Sequence, residues 1–328
     1  MALTYDPIAR HATIDNLTGD YVDLGDLLVK HGQLVKPRNV ETLEIEDFSL
    51  FLTDPTMSVP VGVGRKLSLK ILAAEGLQWL GGFSDLAQLS SVSKGKFDEY
   101  SDDGQTLYGA YGPRTALGLE RAVDMLARDR SSRQAVVPIW RPLEVTSTKD
   151  LPCTLSWSFR IRGVEHLHMS TVMRSNDVFT GVAYDVPIMC RIGDAVAFAL
   201  DAYLDAYHHT AQSFHQYVRD NDAMSALCRQ RPPYPAQPPM FTEGLRDWID
   251  KYVPHQLSQQ DVWELIRNLA VLASHHNHTR SKLPDHDELP YGFAWWSDQL
   301  KGHRCNPYYC PKCRYYLPSD HLCLGVPE

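Results

Sequence analysis

The residues that could do chemistry are concentrated between Pro152 and Tyr217. The stretch opens with PCTLSWSFRIRG, continues with HLHMSTVMRSNDVFTGVAYDV, runs through an apolar helix and closes on FHQY. It holds, in order, a cysteine at the start of a strand (Cys153), an Arg-Ser pair at the end of the next strand (Arg174, Ser175), a carboxylate at the mouth of a helix (Asp185) and a His-x-Tyr pair (His215, Tyr217). A thiol, a phosphate clamp, a base reader and a sugar reader in one ordered run are what covalent chemistry on a nucleotide would need. Cysteine suits the nucleophile's place because part of it is thiolate at neutral pH and sulfur leaves well after adding to carbon. Arg174 would grip a phosphate and, as a nearby cation, would lower the thiol pKa. Taken alone, Cys153 reads as a buried strand cysteine, the common fate of a free cysteine.

Asp185 discriminates most. Uracil presents an N3–H donor beside an O4 acceptor, which an asparagine amide matches. Cytosine presents an N3 acceptor beside an N4 amine, which a carboxyl group matches when it accepts from N4 and a proton is supplied for N3. Thiolate addition at C6 also raises the basicity of N3, where a carboxyl group can shuttle a proton. The structural alternative is a helix N-cap, since Asp185 directly precedes helix-forming sequence.

The elements that must position these groups are partly legible. Residues 66–81 place Leu69, Leu72, Ala73, Leu77 and Leu80 at helical spacing, with Glu75 inside the helix. Residues 83–117 read as loop-rich, with Asp102-Asp103-Gly104 and Gly112-Pro113 as turn signals. A helix with Leu119, Ala122, Val123 and Leu126 on one face follows, and then the strand AVVPIW. Leu155, Trp157, Phe159 and Ile161 alternate with Ser156, Ser158 and Arg160 in the first arm of a hairpin that turns at Gly163. Apolar positions from Ile188 to Tyr203 form a helical stripe. Residues 1–60 give little signal. Five prolines in RQRPPYPAQPPM (229–240) exclude regular structure, so the expected organisation is a catalytic domain over 1–228, a connector over 229–240 and a helical extension with a Cys-rich tail over 241–328. Strands and helices in irregular order point to an α+β fold.

The order of motifs resembles the thymidylate synthase family. Pro152-Cys153-Thr154 stands where that family has Pro-Cys-His. Met173-Arg174-Ser175-Asn176-Asp177 stands for Gln-Arg-Ser-x-Asp, Val182-Ala183-Tyr184-Asp185 for Leu-Pro-Phe-Asn, and Phe214-His215-x-Tyr217 lies over the family's His-x-Tyr. Glu75 falls at the family's helix glutamate, Phe97-Asp98-Glu99-Tyr100 at its Trp-Asp-Glu-Trp, and Tyr108-Gly109 at a Tyr-Gly. The resemblance covers roughly residues 38–222. It implies a mixed sheet with packed helices and a homodimer. It also implies 5,10-methylenetetrahydrofolate as one-carbon donor, touched by Asp177, Phe97 and Tyr100. Arg38 and Arg174 would hold a pyrimidine nucleoside monophosphate, with Arg133 reaching across to the partner's phosphate and His215 and Tyr217 on the sugar. The Asn-to-Asp change at Asp185 is similar to the cytidylate hydroxymethylase branch known from antibiotic biosynthesis, which acts on CMP or dCMP and adds water where a synthase adds hydride. Thr154 replaces the family histidine, Gln134 a second phosphate arginine, and the family's short apolar C-terminus is not recognisable.

Composition bounds the alternatives. A net charge of −8 argues against a sequence-independent nucleic-acid binder. No apolar run approaches membrane length and the first residues lack a signal-peptide core, so a cytoplasmic protein is expected. Seven cysteines exclude a full disulfide framework. Cys305, Cys310, Cys313 and Cys323, with His321, have the residue types of a tetrahedral zinc site, though a second clean knuckle is missing. His275, His276 and His278 read as a solvated helix end. Two rivals stay open: synthase-type C5 methylation of dCMP or dUMP, and a non-catalytic RNA-binding protein on a synthase-like scaffold.

Overall fold

The computed structural model describes residues 3–60, 67–228, 238–253, 256–274 and 289–299. In chain order the elements are β1 (Thr4–Asp6), β2 (His11–Ile14), α1 (Leu17–His31), β3 (Gln33–Val35), β4 (Thr42–Leu52), α2 (Leu69–Gly81), α3 (Leu86–Ser93), α4 (Tyr111–Arg128) and β5 (Val136–Pro138). They continue with β6 (Thr154–Arg162), β7 (His166–Met173), β8 (Asn176–Asp177), α5 (Ala183–Ala199), β9 (Tyr203–Tyr217), α6 (Asn221–Cys228), α7 (Leu245–Tyr252), α8 (Gln259–Ser274) and α9 (Tyr291–Gln299).

The strands form one mixed sheet in the order β1-β2-β4-β9-β7-β6-β5, with β3 added to β4 and β8 to β9. β9 is the spine: it pairs antiparallel with β4 and parallel with β7 and β8. Helices bury one face of the sheet, where Trp157, Phe159, Leu167, Met169, Tyr207 and Phe214 are closed to solvent. This is the α+β architecture expected. Among the described residues no helix is long and apolar enough to cross a membrane.

Several local expectations fail for identifiable reasons. Leu155 does not share the inward face with Trp157. A bulge between Thr154 and Ser156 makes Leu155 the extra residue, so Thr154 is fully buried and Leu155 only partly so. The stripe from Ile188 stops at Ala199. Asp201 adopts a left-handed φ of 49° and the Ala202 N–H bonds back to the Ala197 carbonyl, which ends the helix and leaves Tyr203 to open β9. The segment 83–117 is less loop-like than its turn signals imply. Asp85 caps α3, and Gly112-Pro113 lies inside the first turn of α4, where a missing proline N–H costs nothing.

Residues 1–60, weak in sequence signal, supply α1 and the long strand β4. Asn16 caps α1 by accepting from the Gly19 N–H, and the Tyr21 hydroxyl donates to the carbonyls of Val178 and Phe179, just ahead of α5. The helices beyond the proline-rich stretch pack on the same core. Phe241 lies against Gly76 of α2, the Gln88 amide donates to the Ser274 carbonyl, and the Trp296 indole donates to the Pro239 carbonyl. The cysteine-rich tail and His275–His278 fall outside the described residues.

One buried ion pair ties α4 to the loop that follows β5. Arg114 Nη1 lies 2.5 Å from Glu144 Oε1, with both side chains 2% exposed, and Arg114 also donates to the carbonyls of Tyr108 and Ile139. Burial alone would raise the Glu144 carboxyl, yet bonds from Arg114, the Arg141 N–H and the Tyr108 hydroxyl hold it down to about 2. Removing one partner leaves the other charge buried and unpaired. Glu144→Ala should therefore cost about 3–5 kcal/mol in denaturant unfolding. A loss below about 1 kcal/mol would show the pair to be dispensable.

Candidate active site

Glu75, Asp150, Cys153 and Asp185 line one cavity of about 210 Å³, with Trp79, Leu89, Phe97, Tyr100, Leu107 and Tyr111 among its walls. The groups arrive on three elements, with Asp150 and Cys153 on the loop before β6. Glu75 comes from the middle of α2, Asp185 from the first turn of α5, and Cys153 from the residue before β6. The Leu155 bulge sits two residues beyond Cys153 and sets the angle at which the strand delivers it. Arg174 fixes the other side of this turn: its Nε donates to the Pro152 carbonyl at 2.9 Å, its Nη2 to the Leu151 carbonyl at 3.1 Å, and its backbone N–H to the Cys153 carbonyl. The Thr154 N–H donates to the Tyr111 hydroxyl.

Burial dominates the electrostatics. It pushes Glu75 up to about 8, helped by the negative charges of Asp185 and Asp150. It pushes Asp185 up to about 7, opposed by a hydrogen bond from Asn176 and assisted by Asp177. Asp150 is raised by burial against a bond from the Gly109 N–H. The Cys153 thiol is also raised. Burial outweighs the Arg174 and Arg38 cations that pull it down, while Asp185 and Asp150 add to the rise. The arginine effect expected from sequence therefore has the right direction, but desolvation wins.

Asp185 is not the N-cap of its helix. It sits at the third position of α5, and its Oδ2 accepts from Asn176 Nδ2 at 2.7 Å. The capping carboxylate is Asp177, which accepts from the N–H groups of Phe179 and Thr180 and from the Thr180 hydroxyl, ordering the turn before α5.

The other expected residues divide by place. Phe97 and Tyr100 lie in the cavity wall. Arg38, in a left-handed backbone conformation, and Arg174 both act electrostatically on Cys153, so two cations flank the thiol, and Ser175 follows directly in the chain. His215 and Tyr217 share the end of β9, their rings edge to face at 5.3 Å, and Tyr217 acts electrostatically on Tyr100. Asp177 pairs with His215 across β8 and β9. Arg133 is elsewhere. It precedes β5, whose Val136 pairs with Ser158 well along β6, so it stands on the order of 20 Å from Cys153 along the strand direction. Tyr108, matched to a family Tyr-Gly, donates instead to Glu144.

Sequence reading missed Tyr111, Asp150 and Asn176. Asp150 stands three residues before the cysteine and could have been flagged on that ground. Tyr111 was hidden by the turn-like Gly112-Pro113. Asn176 occupies the variable position of its motif, and only the fold shows its contact with Asp185. Among the described residues no group of three or more His, Cys, Asp or Glu side chains could hold a metal ion, and the four tail cysteines lie outside those residues. The flat aromatic and leucine walls of the cavity beside Cys153 fit a conjugated ring system such as a reduced pterin.

The sequence profile of the thymidylate synthase family matches residues 19–257. The chain is similar to the deoxyuridylate hydroxymethyltransferase of Bacillus phage SP01, with 28% identity over 222 residues, covering 62% of this chain and 57% of the relative. It is similar to the enzyme of that name from Delftia phage PhiW-14, with 27% identity over 212 residues and 58% of each chain. A third, from Pseudomonas phage M6, is 30% identical over 152 residues, 44% of this chain and 43% of the relative. The chain thus spans less than two thirds of the length of these curated relatives.

The raised carboxyls make a stability prediction. An unfolded carboxyl titrates near 4, whereas Glu75 titrates at about 8 in the fold. The folded state holds its proton more tightly, so stability is full below about pH 4 and falls as pH rises toward 8. Glu75→Gln removes this penalty. The variant should match wild type in thermal unfolding at pH 4.5 and exceed it at pH 8, by at most about 4–5 kcal/mol. An equal effect at both pH values would mean Glu75 ionises normally.

Proposed function

The chain belongs to the thymidylate synthase family, and on that premise we propose that it transfers a one-carbon unit to C5 of a cytosine nucleotide, CMP or dCMP. The transfer is completed with water, giving the 5-hydroxymethyl product. The observation that carries this reading is a buried carboxyl, Asp185, raised to about 7, in the same cavity as a cysteine thiol. A carboxyl titrating there is available as a neutral acid: its hydroxyl can donate to N3 while its carbonyl oxygen accepts from N4.

Cys153 Sγ adds to C6, which makes C5 an enamine-like nucleophile, and the same sulfur leaves when the ring is restored. Asp185 gives its proton to N3 as that nitrogen becomes basic and takes it back on elimination. Glu75, protonated at neutral pH, holds a second proton in the cavity. Arg174 and Arg38 supply positive charge beside Cys153, which suits a phosphate. His215 and Tyr217 suit the sugar. Methylenetetrahydrofolate, bound against Trp79, Phe97 and Tyr100, would supply the carbon at the oxidation level of formaldehyde.

The activity for which the phage relatives are named favours a second reading, the same hydroxymethyl transfer to deoxyuridylate. A neutral carboxyl can turn its proton toward O4 and accept from N3–H, so Asp185 alone does not exclude it. Turnover of CMP, dCMP, UMP and dUMP with methylenetetrahydrofolate separates the readings. Tetrahydrofolate as product supports hydroxymethylation, and dihydrofolate would mean methylation. In the same assay Asp185→Asn should move the preference toward uridylates by about 2–4 kcal/mol in relative kcat/KM. An unchanged preference in a stable variant would remove Asp185 from base reading.

The remote position of Arg133 supports a homodimer in which it serves the partner's site. Arg133→Ala and Cys153→Ser should each be inactive, and heterodimers of the two should regain about half a dimer's activity, since one site keeps both intact groups. Heterodimers that form without regaining activity would place the whole site within one chain.

A further inference from the structure

Asn176 leaves a buried acceptor unexplained beside the reactive cavity. It is 3% exposed, its Nδ2 donates to Asp185 Oδ2, and its Oδ1 has no hydrogen-bond partner. An unpaired buried carbonyl is costly, so its place calls for a reason. Its orientation is fixed by the neighbour. A carboxyl keeps an acceptor oxygen whether neutral or ionised, and the Asn176 amide nitrogen faces that oxygen while Oδ1 stays unpaired.

The backbone is shaped around this pair. Gly181, in the turn between Asp177 and α5, has ordinary φ, but a Cβ there would lie 2.6 Å from Asn176 Nδ2 and 3.2 Å from Asp185 Oδ2. A side chain at 181 would therefore displace the Asn176 amide from its place against Asp185. The bond from Asn176 also pulls Asp185 downward against the effect of burial.

We propose that Asn176 is a specificity-determining residue that, with Asp185, forms a double acceptor for the exocyclic amine of cytosine. Asp185 takes one amine hydrogen and Asn176 Oδ1 takes the other. The Asn176 N–H also marks Asp185 Oδ2 as an accepting oxygen, which leaves the carboxyl proton to Oδ1 and opposes the rotation that uracil would need. A uracil O4 placed there would face two acceptors. The inference rests on the cytosine reading above and deepens it, since it supplies the discrimination that a neutral Asp185 lacks.

The test compares wild type, Asn176→Ala and Asn176→Asp on cytidylate and uridylate, with thermal unfolding as the control for folding. For Asn176→Ala, kcat/KM on cytidylate should fall by about 10- to 100-fold with uridylate unchanged or improved. The acid-side pH profile should move upward as Asp185 loses its donor. Asn176→Asp, which keeps an acceptor but loses the donor, should retain more of the cytidylate preference. A parallel loss on both nucleotides, with an unmoved profile, would reduce Asn176 to packing and overturn the proposal. If the variants do not fold, wild type alone decides. N4,N4-dimethylcytidylate, which has no amine hydrogen, should bind at least about 10-fold more weakly than cytidylate, and N4-methylcytidylate, which has one, should fall between them. Equal binding of all three overturns the proposal. Wild type that prefers uridylate overturns the cytosine reading itself, and this result is visible before any variant is made.

Discussion

Removal of acidic groups from water is the constraint on which the site depends. Cys153, Glu75, Asp150 and Asp185 share one cavity, and each is shifted toward its protonated form by burial. Two cations, Arg174 and Arg38, oppose that shift at the thiol alone. The result is a site that stores protons near neutral pH and keeps its nucleophile masked. Asp185 and Glu75, titrating at about 7 and about 8, hold their protons near neutral pH, so Asp185 can give its proton to N3 as the sulfur adds to C6.

Such a cluster is costly, and the fold holds it from several directions. The bulge at Leu155 turns the start of β6, Arg174 binds the two carbonyls before Cys153, and the Arg114–Glu144 pair anchors the preceding loop. On the opposite side, Tyr21 holds the turn before α5, Asp177 caps that turn, and Gly181 lets it close over Asn176 and Asp185. These devices are local hydrogen bonds and close approaches, and they set angles that hydrophobic burial alone leaves free. The apolar core beneath them positions whole elements, as where Trp79 packs against Tyr111 at 4.5 Å.

The hairpin β6–β7 and helix α2 were legible because their periodicity is strict and their turns are marked, Gly163 by a left-handed φ. The cavity residues Cys153, Glu75, Asp185, Phe97 and Tyr100 were legible because they stand in collinear motifs. What sequence could not show are features made by exceptions to pattern. A bulge moves Thr154 inward where alternation predicted Leu155, and a left-handed Asp201 stops a stripe that reads on to Tyr203. The alternative reading of Asp185 as a helix cap fails because Asp177 takes that role eight residues earlier. The net rise of the thiol pKa depends on desolvation, which spacing along a chain does not reveal.

Covalent trapping tests the central claim most directly. Fluorine at C5 of a pyrimidine cannot leave as a cation, so a nucleotide carrying it stalls after the one-carbon unit is attached. Intact-mass and peptide analysis of the chain incubated with methylenetetrahydrofolate and either 5-fluorocytidylate or 5-fluorouridylate would show which base the site accepts and which residue attacks it. The account predicts a ternary adduct on the peptide containing Cys153, formed faster with the cytosine nucleotide. An adduct on Cys190, no adduct with either nucleotide, or faster trapping of the uracil nucleotide would contradict it.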